Sequence, residues 1–579
     1  MSLIHQLEKL QEEDGYLAEA SLRALSRASG APLYRLQELI SFYPHFRTTP
    51  PAAVTVSVCR DMSCHLGGCA GLTEQLSAAL EGKDVEIEEV SCLGCCELAP
   101  AIRVDGVPVS ADPEALASAL ANGGVQGIYA PRRDWACDPY AGDLDTAYQC
   151  FAKALAAPDR DEAISALVAS LKDSGLRGMG GAGFPTGLKW DIVRKEAATP
   201  KYVVCNADES EPGTFKDRVV LEQLPHLVLE GMMLAGLTIG AEKGIIYLRH
   251  EYQAAKRALE AEIRRARDAG FLGNDIRGSG FSFDIELFIS PGGYILGEET
   301  ALLEALEDKR GEPRNKPPFP GQKGLHGLPT LMNNVETFAY VPTIGLRGSG
   351  WWADQGKGDS KGLKCISVSG HVSDPGVYEM PLGTTVAELI DMAGGMSEGR
   401  TLKGFAPGGA SSNFLPASLA DTPIDFKPLD DVGSMMGSGA LVVFAEGTPV
   451  LPLAANVVRF FRNESCGKCV PCRDGTEKAV TMLDSTMSAG TEMDWDTLRK
   501  LEMLLVETSI CGLGFVALNP LMSAAKHWPD EVPGAASGGA QPRVPRARPA
   551  PTKSEPSTGI PQMDYLSGGS PHTLAKGWQ

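Results

Sequence analysis

Three cysteines in "ESCGKCVPCRDGT", Cys466, Cys469 and Cys472, constrain this chain more than any other feature, because three thiols on one tight loop fall one short of a four-ligand site. "TSICGLGF" supplies Cys511 thirty-nine residues later, so the intervening chain must fold back to bring it alongside. Four thiolates suit zinc and iron-sulfur clusters alike, since soft ligands select both. Structural zinc usually takes two Cys pairs, whereas three close cysteines and one remote favour a 4Fe-4S cubane. Free thiols are the remaining reading.

A second group lies near the N-terminus, where "CRDMSC" and "CLGCC" each follow a strand-like run. Cys59 with Cys64, and Cys92 with Cys96, would put two thiolates on each of two loops at one sheet end, a fit for the two irons of a 2Fe-2S cluster. Zinc stays open here too. Cys69 and Cys95 are spare, and spacing alone separates Cys96 from Cys95 poorly. Six of the 14 cysteines fall between positions 59 and 96 and four between 466 and 511, a clustering that points to metal rather than a disulfide framework. Cys137, Cys150, Cys205 and Cys365 read as small buried hydrophobes.

The rest of the chain is organised around these groups. At roughly 100 to 200 residues per domain, 579 residues require several cores. Residues 1–50 carry apolar positions at helical spacing, a helical cap, and 51–125 read as strand, helix, strand and hairpin. A charged, aromatic linker at 126–150 leads into alternating helix and strand at 151–355, which favours a parallel sheet flanked by helices. Residues 356–445 are β-rich and 446–530 helical; 531–579, rich in Pro, Gly, Ala and Ser, form a disordered tail too poor in apolar side chains to offset ordering entropy. The fold class is multidomain α/β.

A net charge of -20 argues against nucleic-acid binding and leaves a basic partner surface possible. The N-terminus has no long apolar run, and no stretch approaches the roughly 20 apolar residues of a membrane span, so the chain reads as cytoplasmic without membrane insertion.

"GLRGMGGAGFPTGLKW" holds Gly178, Gly180 and Gly183 in G-x-G-x-x-G spacing, with Gly181 inside, after a helix-like run rather than a strand. Glycines let backbone N–H groups approach phosphate, and the strand-like "KYVVCNADE" delivers Asn206, Asp208 and Glu209, which suit ribityl or ribose hydroxyls. Tight turns with solvated acids are the bland alternative. "GGYILGEETALLEALEDKRG" adds Tyr294, Glu298 and Glu299, and "PTLMNNVET" adds Asn333, Asn334 and Thr337. No Ser/His/Asp arrangement or H-E-x-x-H is visible, so hydrolysis has no candidate site.

Together, "LRGMGGAGFPTGLKW", "NADESEPGTFKDR", "GEETALLEALEDKRGEPRNKPPFP", "PTLMNNVETF", "ESCGKCVPCRDGT" and "SICGLG" resemble the flavin subunit of respiratory complex I and its relatives. Residues 1–125, with "FYPHF", "CRDMSC" and "CLGCCELAPAIRVDG", resemble that complex's small 2Fe-2S subunit. The resemblance implies a thioredoxin-like 2Fe-2S domain, a Rossmann-like FMN domain, a ubiquitin-like β-grasp (SLBB) domain and a helical 4Fe-4S domain. It further implies FMN contacts from Gly178, Gly180, Gly181, Ala182, Gly183, Lys189, Asn206, Asp208, Tyr294, Glu298, Asn333, Asn334 and Thr337. Phe184, Glu211 and Glu299 match positions that face the nicotinamide nucleotide in catalysis. Cys59, Cys64, Cys92 and Cys96 match the 2Fe-2S ligands, and Cys466, Cys469, Cys472 and Cys511 the 4Fe-4S ligands.

Two residues depart from the family: Met179 stands where Arg is frequent, and Leu296 where Cys is. Fusion of the small and large modules resembles both the β subunit of NAD-dependent molybdenum or tungsten formate dehydrogenases and the flavin subunit of NAD-reducing hydrogenases, and the apolar Met179 with "LPASLADTPIDF" after "APGGASSN" looks most like the former. That resemblance implies a separate molybdenum or tungsten catalytic subunit as partner, whose electrons enter at the 4Fe-4S cluster and reduce NAD at FMN. A hydrogenase or complex I flavin subunit is the runner-up, and a cluster-binding adaptor without nucleotide chemistry the third reading.

Overall fold

In the computed structural model, which describes residues 2–535, the chain forms three sheets, each wrapped by helices supplied from its own stretch of sequence. The N-terminal helices Leu3–Asp14, Glu19–Ser29 and Leu33–Phe42 bury Ile4, Leu7, Leu22, Leu36 and Leu39. Their apolar face packs in one cluster with Tyr247 and Phe288 of the central sheet and with Met62 of the neighbouring small domain.

The first sheet has strand order β2-β1-β3-β4. β1 (Val54–Cys59) and β2 (Val85–Val90) run parallel around the helix Leu72–Ala79, so both cysteine-bearing loops leave one end of the sheet. β3 (Ile102–Val104) and β4 (Val107–Val109) form the expected hairpin; Asp105 and Gly106 turn with φ of 48° and 78°, the left-handed pair that matches strand twist.

The central sheet comprises β5 (Tyr202–Ala207), β6 (Lys243–Arg249), β7 (Asp284–Ser290) and β8 (Thr330–Asn334), all parallel in the order β7-β6-β5-β8. Its apolar runs are covered on both faces, as parallel sheets require. The helices Pro225–Ile239 and Val335–Arg347 approach so closely that a Cβ on Gly231 would lie 2.1 Å from the Phe338 carbonyl oxygen. Strand order reverses between β5 and β8, and such a switch point opens a crevice at the strands' carboxyl ends.

The stretch 126–150, expected as a linker, does more than connect. Trp135, Tyr140, Tyr148 and Cys150 are buried in the flavin-domain core, and the Tyr140 hydroxyl donates to Glu230 Oε2 at 2.7 Å. Large aromatic rings recover enough apolar area to order a segment that its charges mark as exposed. Cys137, Cys150, Cys205 and Cys365 are all buried, as read.

The third sheet has the order β10-β9-β13-β11-β12, from β9 (Leu363–Gly370), β10 (Gly376–Pro381), β11 (Leu402–Ala406), β12 (Leu415–Pro416) and β13 (Ala440–Ala445). Helices Val450–Asn463, Val470–Ala489, Trp495–Thr508 and Asn519–His527 follow. Of the segment expected to be a disordered tail, residues 531–535 pack here: Val532 and Ala535 are buried, and Trp495 Nε1 donates to the Pro533 carbonyl at 3.0 Å. Its remainder, 536–579, lies outside the described residues. Among the described residues, no helix is long and apolar enough to cross a membrane.

Candidate active site

The crevice at the β5/β8 switch point is a cleft walled by seven separate stretches of chain. Asn206 ends β5, and its amide donates to the Gly297 carbonyl at 2.8 Å. Asn333 and Asn334 end β8; Trp190 Nε1 donates to Asn333 Oδ1 at 3.0 Å, and Asn334 Nδ2 to Asp217 Oδ2 at 2.6 Å. Gly180, Gly181 and Ala182 form one rim, Tyr294 and Glu298 another, Ser411 and Ser438 come from the β-grasp domain, and Gly512 and Leu513 from the helical domain. Three buried polar atoms of the cleft residues, Asp208 Oδ1, Asn333 Nδ2 and Glu298 Oε1, have no hydrogen-bond partner among the described residues, although the last lies 2.9 Å from Lys316 Nζ. Such atoms are costly unless a ligand or water meets them, and the first two, one acceptor with one donor, suit a polyhydroxylated, phosphorylated group.

The glycine loop is closed on itself. Gly178 N–H donates to the Phe184 carbonyl at 2.8 Å, and Arg177 Nε to that of Gly183 at 2.7 Å. Gly183 has φ of 62°, and a Cβ there would lie 2.4 Å from the Phe426 ring, so this position admits only glycine without rearrangement. Met179 N–H donates to Thr337 Oγ1 at 2.9 Å.

Burial dominates the carboxyl groups of the cleft. It pushes Asp208 up to about 7, against the pull of Arg249, and Glu209 up to about 8 with help from Asp217. Glu211 is also raised by burial, although Ser411 N–H (2.7 Å) and the Tyr294 hydroxyl (3.1 Å) both donate to it. Asp208 and Glu209 can therefore hold a proton near neutral pH, which eases the approach of anionic groups.

Both thiol groups touch chain that lines this cleft, although no cysteine is itself among the lining residues. Cys59, Cys64, Cys92 and Cys96 converge: Cys92 Sγ lies 3.6 Å from Cys96 Sγ, and Cys59 hydrogen-bonds with both Cys64 and Cys92. Those shared bonds lower Cys92 well below the ordinary thiol range and raise Cys59 and Cys96 well above it. Cys96 also meets the backbone N–H of Gly213, in the loop that carries Glu211. On the other side Cys466, Cys469, Cys472 and Cys511 converge, with a bond from Cys472 pulling Cys469 down to about 5. Leu513, two residues beyond Cys511, lines the cleft. Each donor set offers the four soft thiols that a cluster of the predicted type takes.

Cys95 faces elsewhere: Arg103 Nη2 donates to its sulfur at 3.2 Å. The expected result is that Cys96→Ser removes the 2Fe-2S electron paramagnetic resonance signal while Cys95→Ser retains it; the reverse pattern would overturn the choice of Cys96. The small domain is locked on by Arg249, which donates to the carbonyls of Glu209 (2.7 Å) and Cys92, and by Arg218, which donates to that of Gly94 at 3.0 Å.

Not every expected residue reaches the cleft. Thr337 serves the glycine loop from behind, Lys189 Nζ donates to the Met332 carbonyl at 3.1 Å, and Glu299 pairs with Lys316 at 2.7 Å. Gly178, Gly183 and Phe184 shape the loop rather than its exposed rim. Leu296 is fully buried. Sequence reasoning missed Ser210, Thr214, Asp217, Met435, Gly437 and Ser438 as lining residues. Only "ASSN", quoted for a different reason, hinted at the β-grasp contribution through Ser411.

Comparison with known proteins agrees with this geometry. Residues 171–343 match the family described as the Nuo51 FMN-binding domain, and 452–534 the NADH-ubiquinone oxidoreductase-F iron-sulfur binding region. Residues 1–122 match the thioredoxin-like [2Fe-2S] ferredoxin and 365–411 the SLBB domain. The NADH-quinone oxidoreductase F 2 subunit of Rhizobium meliloti (strain 1021) is 46% identical over 385 residues, covering 66% of this chain and 90% of that protein. The HndC subunit of the NADP-reducing hydrogenase of Solidesulfovibrio fructosivorans is 44% identical over 363 residues, covering 62% of this chain and 74% of that protein. The solved structure of an NAD+-reducing [NiFe]-hydrogenase in the H2-reduced state superposes with a TM-score of 0.80 at 32% identity, over 91% of this chain and 92% of that one. FMN, NAD, a 4Fe-4S and a 2Fe-2S cluster are the cofactors that these domains bring. The chain belongs to the family of NADH-dehydrogenase-type flavin subunits, with the thioredoxin-like 2Fe-2S domain carried on the same polypeptide.

Proposed function

We propose that this chain is the NAD-reducing subunit of a cytoplasmic NAD-dependent formate dehydrogenase complex, whose molybdenum or tungsten catalytic subunit oxidises formate elsewhere. The observation that carries the electron-transfer part is the cleft itself: Glu211 and Thr214 line it on either side of Gly213, whose N–H meets Cys96, and Gly512 and Leu513 line it next to Cys511. Bound FMN would exchange electron pairs with NAD(H) and single electrons with clusters, chemistry that no side chain supplies.

The residues act by binding and orientation. Cys466, Cys469, Cys472 and Cys511 would ligate the 4Fe-4S cluster, and Cys59, Cys64, Cys92 and Cys96 the 2Fe-2S cluster. Gly180 to Ala182 would offer backbone N–H groups, and Asn206, Asp208 and Asn333 polar side-chain atoms, to FMN. Glu211, held by Ser411 and Tyr294, would stand at the nucleotide side.

The formate assignment is supported by Met179, which brings an uncharged and buried side chain to the glycine loop, and by the segment 415–426. The likeness to an NAD+-reducing hydrogenase over 91% of the chain favours a second reading, the flavin subunit of a hydrogenase. Purification of the native complex decides: formate-dependent NAD+ reduction with a molybdenum- or tungsten-bearing large subunit is expected. Hydrogen-dependent reduction with a nickel-iron subunit would overturn the proposal.

A further inference from the structure

Behind the glycine loop lies a group of fully buried charges that the cofactor sites do not account for. Lys216 Nζ sits 2.7 Å from Asp217 Oδ1 and 2.8 Å from Glu336 Oε2, and Lys364 Nζ sits 2.5 Å from the same Glu336 oxygen. Lys216, Glu336 and Lys364 are 0% exposed. The second Glu336 oxygen accepts from Cys365 N–H at 2.7 Å and from the Tyr340 hydroxyl at 3.0 Å. Two ammoniums thus face two carboxylates. Glu209 lies beside Lys216 and Asp217 and is pushed up to about 8 by burial and Asp217; with that third acid protonated the set is neutral as a whole.

Its two ends differ. Asp217 reaches the cleft and holds Asn334 there. Lys364, at the start of β9 in the β-grasp domain, extends to three backbone carbonyls: Cys365 at 3.1 Å, Ser438 at 3.3 Å and Met179 at 3.5 Å. Ser438 lines the cleft on the β-grasp side, and Met179 immediately precedes Gly180 on the opposite rim. One ammonium therefore ties together two walls contributed by different domains. Burial lowers the proton affinity of Lys364 and Glu336 opposes that loss, while burial acts against Glu336's own charge and the two lysines more than restore it.

We propose that Lys364 is a positioning residue for the flavin, fixing the Met179 and Ser438 carbonyls across the cleft and keeping the buried group beneath the glycine loop from carrying a net negative charge, which would favour oxidised over reduced FMN. The inference rests on FMN occupying this cleft. Two-electron reduction of FMN with uptake of one proton leaves the ring system with one added negative charge, so a net negative charge behind the loop weakens binding of the reduced form. Without Lys364 the buried group carries a net negative charge, because Glu336 and Asp217 then outnumber Lys216. The β-grasp domain, on this view, sets the electrostatics of a site whose ligands come mostly from another domain.

The test uses full-length protein with both clusters loaded and the flavin exchangeable. Binding of oxidised FMN is read by fluorescence quenching, and the flavin midpoint potential by spectroelectrochemistry, which gives the ratio of affinities for reduced and oxidised FMN. Lys364→Met is expected to lower that ratio about tenfold, the scale of one unit charge at this depth. For a two-electron couple that is a potential lower by about 30 mV. Lys364→Arg, which keeps the charge, is expected to hold the ratio within about twofold even where it weakens both affinities. If the Met variant fails to keep its clusters, Lys364→Gln is read in its place with the same expected fall. An unchanged ratio in the neutral variants, or an equal fall in the Arg variant, overturns the proposal. Failure of the wild-type protein to bind FMN would instead overturn the flavin reading on which it rests.

Discussion

Cys469→Ser is expected to cut partner-driven NAD+ reduction by about a hundredfold while NADH oxidation with an artificial dye keeps most of its rate. The asymmetry follows from position. Cys469 caps the helix Val470–Ala489, where the amide dipoles favour a thiolate, and a hydroxyl in its place is neither soft nor ionised at neutral pH. Electrons from a docked subunit would lose their entry, whereas a dye meets the flavin cleft directly. The measurement pairs both assays with the 4Fe-4S resonance signal, which should disappear. Equal retention of both activities, with the signal lost, would remove that cluster from the electron path.

What could be read from the sequence is what short-range spacing controls. Cys466, Cys469 and Cys472 are tied to one loop by the chain itself, and only Cys511 had to be found by the fold. Cys95 and Cys96 are adjacent, so the choice between them depends on which way one turn points, and that became visible only with Arg103 on the Cys95 sulfur. The glycine loop was legible because positive φ at Gly181 and Gly183 demands glycine. Its opposite wall was not, since Ser411 and Ser438 lie more than two hundred residues away in sequence and carry no pattern of their own. Thr337 and Lys189 were found near the site, yet they support its frame, a distinction that needs the direction of each side chain. Residues 126–150 misled because charges between the aromatics suggested solvent, while the rings decided the packing. Lys216, Glu336 and Lys364 were invisible for the same reason: charged residues are read as solvated unless their partners, distant in sequence, are known.

The largest effect on stability is expected at that buried group. Glu336→Gln leaves Lys364 without its carboxylate and Lys216 with Asp217 alone, and stranding a buried charge in this way costs about 3–5 kcal/mol. Glutamine preserves the shape and can still accept from Cys365 N–H and the Tyr340 hydroxyl, so the loss reports charge rather than packing. Denaturant unfolding followed by the fluorescence of released FMN measures it. The double variant Glu336→Gln, Lys364→Met should recover at least ~1 kcal/mol of that loss, because the stranded ammonium is gone. The pH dependence has a definite sign. Burial alone would raise the Glu336 carboxyl, but Lys216 and Lys364 hold it below its ordinary value of 4.5. Its contribution is therefore present above that value and fades as pH falls through the depressed one. The stability difference between wild type and Glu336→Gln should be constant from pH 7 to about 5 and shrink on further acidification. A difference that persists unchanged as acid unfolds the protein would show that the ion pairs are not its source.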